Sequence, residues 1–250
     1  MATENPFSKL KTGTLLSAIV LFYVGCLAVF DLIAKYCQVS IDYWIKHDLI
    51  YAFECLLVLV WIRGQSKAAV LNFRLLFRAT RSVSMIYLSG VTVMLIIFRA
   101  GVVVVSSSLL LFLFPVWFKS WYLERNSYST ITSQPVLDAI LEIFMTVLLA
   151  PVVEELLFRG VLLNRWSMKW GIRMGVLSSS ITFAIIHREV FSAFIFGFCM
   201  SLLYIKTGSL LAPIIVHGLN NAFAVAVGVL ISPAFFSREA PSLNYILLAV

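Results

Sequence analysis

The stretch Pro151-Val152-Val153-Glu154-Glu155-Leu156-Leu157-Phe158-Arg159-Gly160 decides how the rest of the chain is read. Two adjacent carboxylates and an arginine sit in an apolar run that begins at Val136. A charge in a helix at hydrocarbon depth costs about 2.5 to 3.5 kcal/mol on insertion scales. Neighbouring glutamates also repel, so the cluster asks for a reason. On a helix, Glu155 and Arg159 are four apart and share a face, where they can pair. Glu154 points about 100° away and must face something else. The histidines in apolar surroundings, His187 and His217, are the natural candidates. The plain alternative is an ion pair that only locks helices together. The helix by itself does not choose between the two.

Composition sets the class. The chain has 250 residues, 61% of them hydrophobic and 12% charged, with a mean hydropathy of +0.98. Soluble domains have about 45–50% apolar and about 25% charged residues. The long, non-alternating apolar runs therefore predict an all-α fold. We expect a polytopic transmembrane bundle of about seven to nine hydrophobic helices. The net charge of +7 comes from basic residues at the ends of apolar runs, as in juxtamembrane anchors. It does not suggest nucleic acid. The four cysteines, Cys26, Cys37, Cys55 and Cys199, show no metal or disulfide spacing.

Three parts are expected. Residues 1–125 hold N-terminal transmembrane helices, 126–231 a helical core around the glutamate pair, and 232–250 a link ending in a short apolar segment. A first span runs over 14–34, too long for the apolar part of a cleavable signal. A second covers 49–62 and contains Glu54, for which we favour a structural role. Glu54 can face a polar cavity or pair with Arg99. Residues 63–81 carry Arg63, Lys67, Arg74, Arg78 and Arg81 with no acid, and predict a basic amphipathic helix on an anionic leaflet. The 37 residues 82–118 are long for one span and short for two; length alone favours two. The break at 121–135 precedes a helix expected to run to about Leu163 and to kink at Pro151. A basic polar link over 164–173 and spans over 174–187, 190–205 and 210–231 complete the pattern.

His187 shares a face with Phe183, and His217 with Asn221 one turn on; Asn220 points elsewhere. Glutamate with histidine can activate a water by general-base catalysis. A second histidine with an asparagine amide can donate to a developing oxyanion. Together they make a peptide hydrolase without a covalent nucleophile. There is no G-x-S-x-G. Zinc is a competing use, with Glu154, His187 and His217 as the ligand types. The chain lacks H-E-x-x-H, so any such site would be assembled from separate helices. No metal is favoured.

Glu154-Glu155-x-x-x-Arg159, Phe183-x-x-x-His187 and His217-x-x-x-Asn221, in this order, resemble the CAAX-protease and bacteriocin-processing family of intramembrane proteases (CPBP, or Abi). That family includes prenyl-protein endopeptidases of the Rce1 type. The resemblance covers about 134–231 and implies a helical fold with a conical polar cavity open to the membrane. It implies that Glu154 and His187 orient the attacking water. It implies that His217 and Asn221 stabilise the oxyanion, and that Glu155 and Arg159 support the site. The expected partners are membrane lipid and a membrane-associated peptide or protein substrate, in a bacterial cell membrane. An endopeptidase is the leading reading. The alternatives are a non-catalytic peptide-binding or bacteriocin-immunity factor, and a proton-relay transporter, which would want inverted repeats.

Overall fold

The computed structural model describes residues 12–37, 43–67, 84–117, 140–141, 143–187 and 189–231. All of its regular elements are helical. The first three are α1 (Thr12–Cys37), α2 (Tyr43–Lys67) and α3 (Met85–Leu113). A π-helical stretch, Met145–Leu149, leads into α4 (Ala150–Glu155), and a second, Leu156–Leu163, leads into α5 (Asn164–Trp170). The chain closes with α6 (Ile172–Ile185), α7 (Val190–Thr207) and α8 (Leu211–Ile231). Among the described residues α1, α3 and α7 are long and apolar enough to cross a membrane, and shorter apolar helices fill 50–61, 172–185 and 211–227. Large apolar side chains such as Leu21, Ile86 and Phe112 are more than 70% exposed. Without lipid around them such surfaces would be an open apolar patch of the whole molecule. The protein is an all-α membrane bundle.

Residues 84–113 differ from the two-span expectation. Ser84 caps the N-terminus by accepting from the Tyr87 amide (3.2 Å), and α3 then runs unbroken for 29 residues. The serine triplet does not interrupt it, because Ser106 Oγ donates to the Val103 carbonyl within the helix. Such a bond satisfies the hydroxyl without a turn. The helix stops at Leu113, two residues before Pro115.

The proline at 151 acts through a π turn. Proline has no N–H to give to the carbonyl of residue 147. The backbone widens at 145–149, and the freed carbonyls turn toward α8. The Thr146 carbonyl accepts from Asn221 Nδ2 (2.9 Å). The Val147 carbonyl would lie 3.0 Å from a Cβ added at Gly218, so only glycine lets the two helices approach this closely.

The second π stretch does the same downstream. Ser179 Oγ donates to the Phe158 carbonyl (3.0 Å), and Asn164 Nδ2 donates to the carbonyls of Arg159 and Gly160 and to Tyr204 Oη. These bonds carry the helix through 164–170, where the sequence suggested a polar link. The break comes at Gly171, whose φ of 84° suits glycine. Gly175 then packs on Ser167: an added Cβ would come within 2.7–2.8 Å of Ser167 backbone atoms. The core joins Leu156, Leu157, Phe158 and Val161 to Phe183, Phe196, Met200 and Val216, with Cys55 and Val58 of α2 against them.

The basic segment beyond Lys67, the break at 121–135, Asp138 and Glu142, and the apolar segment 243–250 lie outside the described residues or side chains.

Candidate active site

Four elements meet at the glutamate pair. Glu155 and Arg159 are fully buried, and Arg159 Nη1 donates to Glu155 Oε1 at 2.8 Å. Arg159 Nη2 donates to the Gly197 carbonyl of α7 (3.0 Å), and its guanidinium lies over the Phe183 ring, 4.7 Å from the centroid. Gly197 makes this approach possible, since an added Cβ would sit 3.3 Å from Ser180 Cα and 3.5 Å from Arg159 Nη2. A buried charge pair needs extra hydrogen bonds of this sort to offset desolvation.

His217 of α8 joins the same carboxylate. Its Nδ1 lies 2.9 Å from Glu155 Oε1, so that one oxygen serves both the imidazole and the guanidinium. Beside Arg159 the carboxylate is an acceptor, and Nδ1 therefore carries the proton. His187 lies just past α6. Its Nδ1 is 2.6 Å from the Phe183 carbonyl, and a carbonyl only accepts, so this Nδ1 also donates. Phe183 stacks on the His187 ring at 4.1 Å. Phe196 meets the His217 ring edge-on at 4.8 Å. Both imidazoles are thus held by their Nδ1 atoms and by aromatic contacts.

Their Nε2 atoms face Glu154. Glu154 Oε2 lies 3.7 Å from His187 Nε2 and 3.9 Å from His217 Nε2. Both separations are beyond direct hydrogen-bond range. Oε2 is buried and takes no hydrogen bond from a described residue. The other oxygen, Oε1, accepts from the hydroxyl of Tyr51 on α2 at 2.9 Å. Glu154, His187 and His217 are therefore brought together, with Glu155 and Arg159 behind them.

Asn221 is placed differently. One turn beyond His217, it donates to the Thr146 carbonyl, and its Oδ1 accepts from Asn220 Nδ2 at 3.3 Å. Asn220 and Asn221 line a cavity of about 100 Å³ with Arg99, Val103, Glu189 and Ser192. Arg99 does not turn to Glu54: its Nε donates to Ser192 Oγ (2.8 Å), and its guanidinium lies over Phe196 at 4.9 Å. The Phe196 ring thus contacts both the Arg99 guanidinium and the His217 imidazole.

Sequence reading missed Tyr51, a common residue type 103 positions from Glu154 with no motif around it. It also missed Gly197, whose signal is only that a small residue stands in an otherwise bulky apolar helix.

The donor set was tested against zinc. Tetrahedral ligand edges at zinc are about 3.3 Å for bonds near 2.0–2.1 Å, and the two edges here are wider. Among the described residues no group of three or more His, Cys, Asp or Glu side chains is arranged to hold an ion. As placed, both Glu154–histidine separations are thus wider than zinc ligand edges.

Residues 136–223 match the family model for the Rce1-like group, type II CAAX prenyl endopeptidases. The likeness is confined to this segment. The segment contains Glu154, Glu155, Arg159, His187, His217 and Asn221, and leaves out Tyr51 and Arg99. An Escherichia coli "Uncharacterized 24.3 kDa protein" is 33% identical over 88 residues, which are 32% of this chain and 41% of that protein. A Bacillus subtilis (strain 168) protein named "Putative membrane peptidase YdiL" is 29% identical over 105 residues, 40% of this chain and 43% of that protein. The chain thus spans less than half the length of these curated relatives. No solved structure matches.

Proposed function

We propose that the protein is an intramembrane endopeptidase that hydrolyses a peptide bond in a membrane-embedded or lipid-anchored peptide or protein. The observation that carries this reading is the facing of Glu154 Oε2 by two imidazole Nε2 atoms at 3.7 and 3.9 Å, with Oε1 tied off by Tyr51. The likeness of 136–223 to a peptidase family supports it. The bacterial relatives support a bacterial cell membrane as its place.

In this scheme a water molecule bridges Glu154 Oε2 and His187 Nε2. Both are proton acceptors when His187 is neutral, because its Nδ1 proton is held by Phe183. The water oxygen attacks the peptide carbonyl carbon, and its proton passes to Glu154. The carbon–nitrogen bond then breaks, and the leaving nitrogen takes that proton. Charge develops on the former carbonyl oxygen. His217 in its protonated form presents Nε2–H to it, steadied by Glu155 at Nδ1. Asn221 supplies a second donor by turning its amide from the Thr146 carbonyl toward the substrate. Donors fixed in advance in a dry site stabilise such charge better than water does. The scheme uses no metal.

The test is cleavage of a membrane-anchored peptide by Glu154→Ala and His187→Ala proteins that still accumulate in the membrane fraction. Both are expected to be inactive. Cleavage at the wild-type rate by either one overturns the reading.

A further inference from the structure

We infer that Tyr51 is a positioning residue of this site: it holds one oxygen of Glu154 so that the other is presented to His187 and His217, which makes α2 part of the working site. The inference rests on the hydrolase reading and goes beyond the Rce1-like segment, because Tyr51 stands 85 residues before its first matched position, Val136.

The geometry is specific. The Tyr51 hydroxyl donates to Glu154 Oε1 at 2.9 Å, and among the described residues no other donor is within hydrogen-bond distance of this carboxylate. The Nη donors of Arg159 and the Nδ1 donors of the histidines are committed elsewhere, and Arg159 Nε makes no hydrogen bond to a described residue. Arg159 Nη1 and Nη2 are taken by Glu155 and the Gly197 carbonyl, and the two histidines spend their Nδ1 protons on Glu155 and Phe183. Without Tyr51, nothing here fixes the rotation of the Glu154 carboxylate. Free rotation would swing Oε2 out of line with both Nε2 atoms. Small misplacements of a reacting group cost far more rate than they cost stability.

Tyr51 is itself held rigidly. Ile50, Cys55 and Val58 of α2 are almost fully buried, and Tyr51 packs against the same core from the position one turn before Cys55. The helix therefore delivers the hydroxyl from a wall of the bundle that the family segment does not supply. A tyrosine hydroxyl fits this task in an apolar setting, since it donates one hydrogen bond and brings no charge to be desolvated.

The experiment uses the full chain in lipid nanodiscs, with ¹³C-labelled glutamate, comparing wild type with Tyr51→Phe. Tyr51→Phe keeps the ring and removes only the hydroxyl, which also meets the Cys55 thiol. Infrared difference spectra are expected to show a shifted carboxylate band that is absent in a Glu154→Gln background. The value of kcat should fall about 10- to 100-fold, about 1.4–2.7 kcal/mol at about 1.36 kcal/mol per tenfold. KM and the thermal midpoint should stay close to wild type. An unchanged band, or a changed band with kcat retained, overturns the proposal. Equal losses in kcat, KM and thermal midpoint also overturn it, since they mark a packing role. A shifted band in a wild-type protein that hydrolyses nothing leaves the contact standing and removes the hydrolase reading and Tyr51's role in it.

Discussion

His217 Nδ1 and Glu155 Oε1 lie 2.9 Å apart, on the same oxygen that accepts from Arg159. One carboxylate thus neutralises a buried guanidinium and orients an imidazole. The pair ties the position of α8 to the C-terminal end of α4. Each glutamate keeps one oxygen without a hydrogen bond from a described residue; Glu154 differs in that its free oxygen faces the two imidazole Nε2 atoms.

Removing either member of the buried pair should be costly. Glu155→Gln leaves Arg159 uncompensated at zero exposure, and breaking such a pair costs about 3–5 kcal/mol. We expect Glu155→Gln and Arg159→Gln each to lower the thermal midpoint in detergent strongly and to reduce accumulation. The double variant should lose less than the sum of the two, as coupled neighbours do. A thermal denaturation series over the four proteins checks this.

Glycines mark the tight crossings. At Gly175 an added Cβ meets Ser167 backbone atoms at 2.7–2.8 Å, so Gly175→Ala must shift α5 against α6. A loss of about 1–3 kcal/mol is expected, the usual range for overpacking. Gly218→Ala should act on function as well. Gly218 follows His217 in sequence, and its added Cβ would press on the Val147 carbonyl; the displaced imidazole should lower kcat more than the thermal midpoint. Parallel melting and cleavage measurements separate the two effects.

Much of this was legible in the residues. The apolar runs and sparse charge gave a helical membrane bundle. The i, i+4 relation of Glu155 and Arg159 anticipated their 2.8 Å contact. The odd placement of Glu154 pointed to the two histidines. What was not legible depends on tertiary contact. The single helix over 85–113 requires that serine hydroxyls be satisfied within the helix, a local choice invisible to hydropathy. The helical path through 164–170 depends on Asn164 reaching carbonyls released by a π turn, and polar composition alone reads as a link. Arg99 goes to Ser192 and Phe196 because α7 packs against α3, a pairing that no spacing in the sequence encodes. Tyr51 belongs to the same class.

Chelation provides a separate check on the metal-free scheme. Because the Glu154–His187 and Glu154–His217 separations are wider than zinc ligand edges, treatment with 1,10-phenanthroline should leave cleavage unchanged. Loss of activity restored by added zinc would contradict the scheme. Metal analysis of the purified protein gives the same answer without substrate.

Asn221→Ala should spare the fold, since only the Thr146 and Asn220 contacts are lost. Its effect should fall on kcat, by about 10²–10³-fold if it contributes to an oxyanion hole. A change confined to KM would remove it from that role.

Single-turnover hydrolysis of a membrane-anchored peptide in ¹⁸O-labelled water, comparing wild type with Glu154→Gln, bears most directly on water activation by Glu154. Wild type should place one labelled oxygen in the new C-terminal carboxylate, and Glu154→Gln should yield no product while melting at the wild-type temperature. Labelled product formed by Glu154→Gln at the wild-type rate would contradict it.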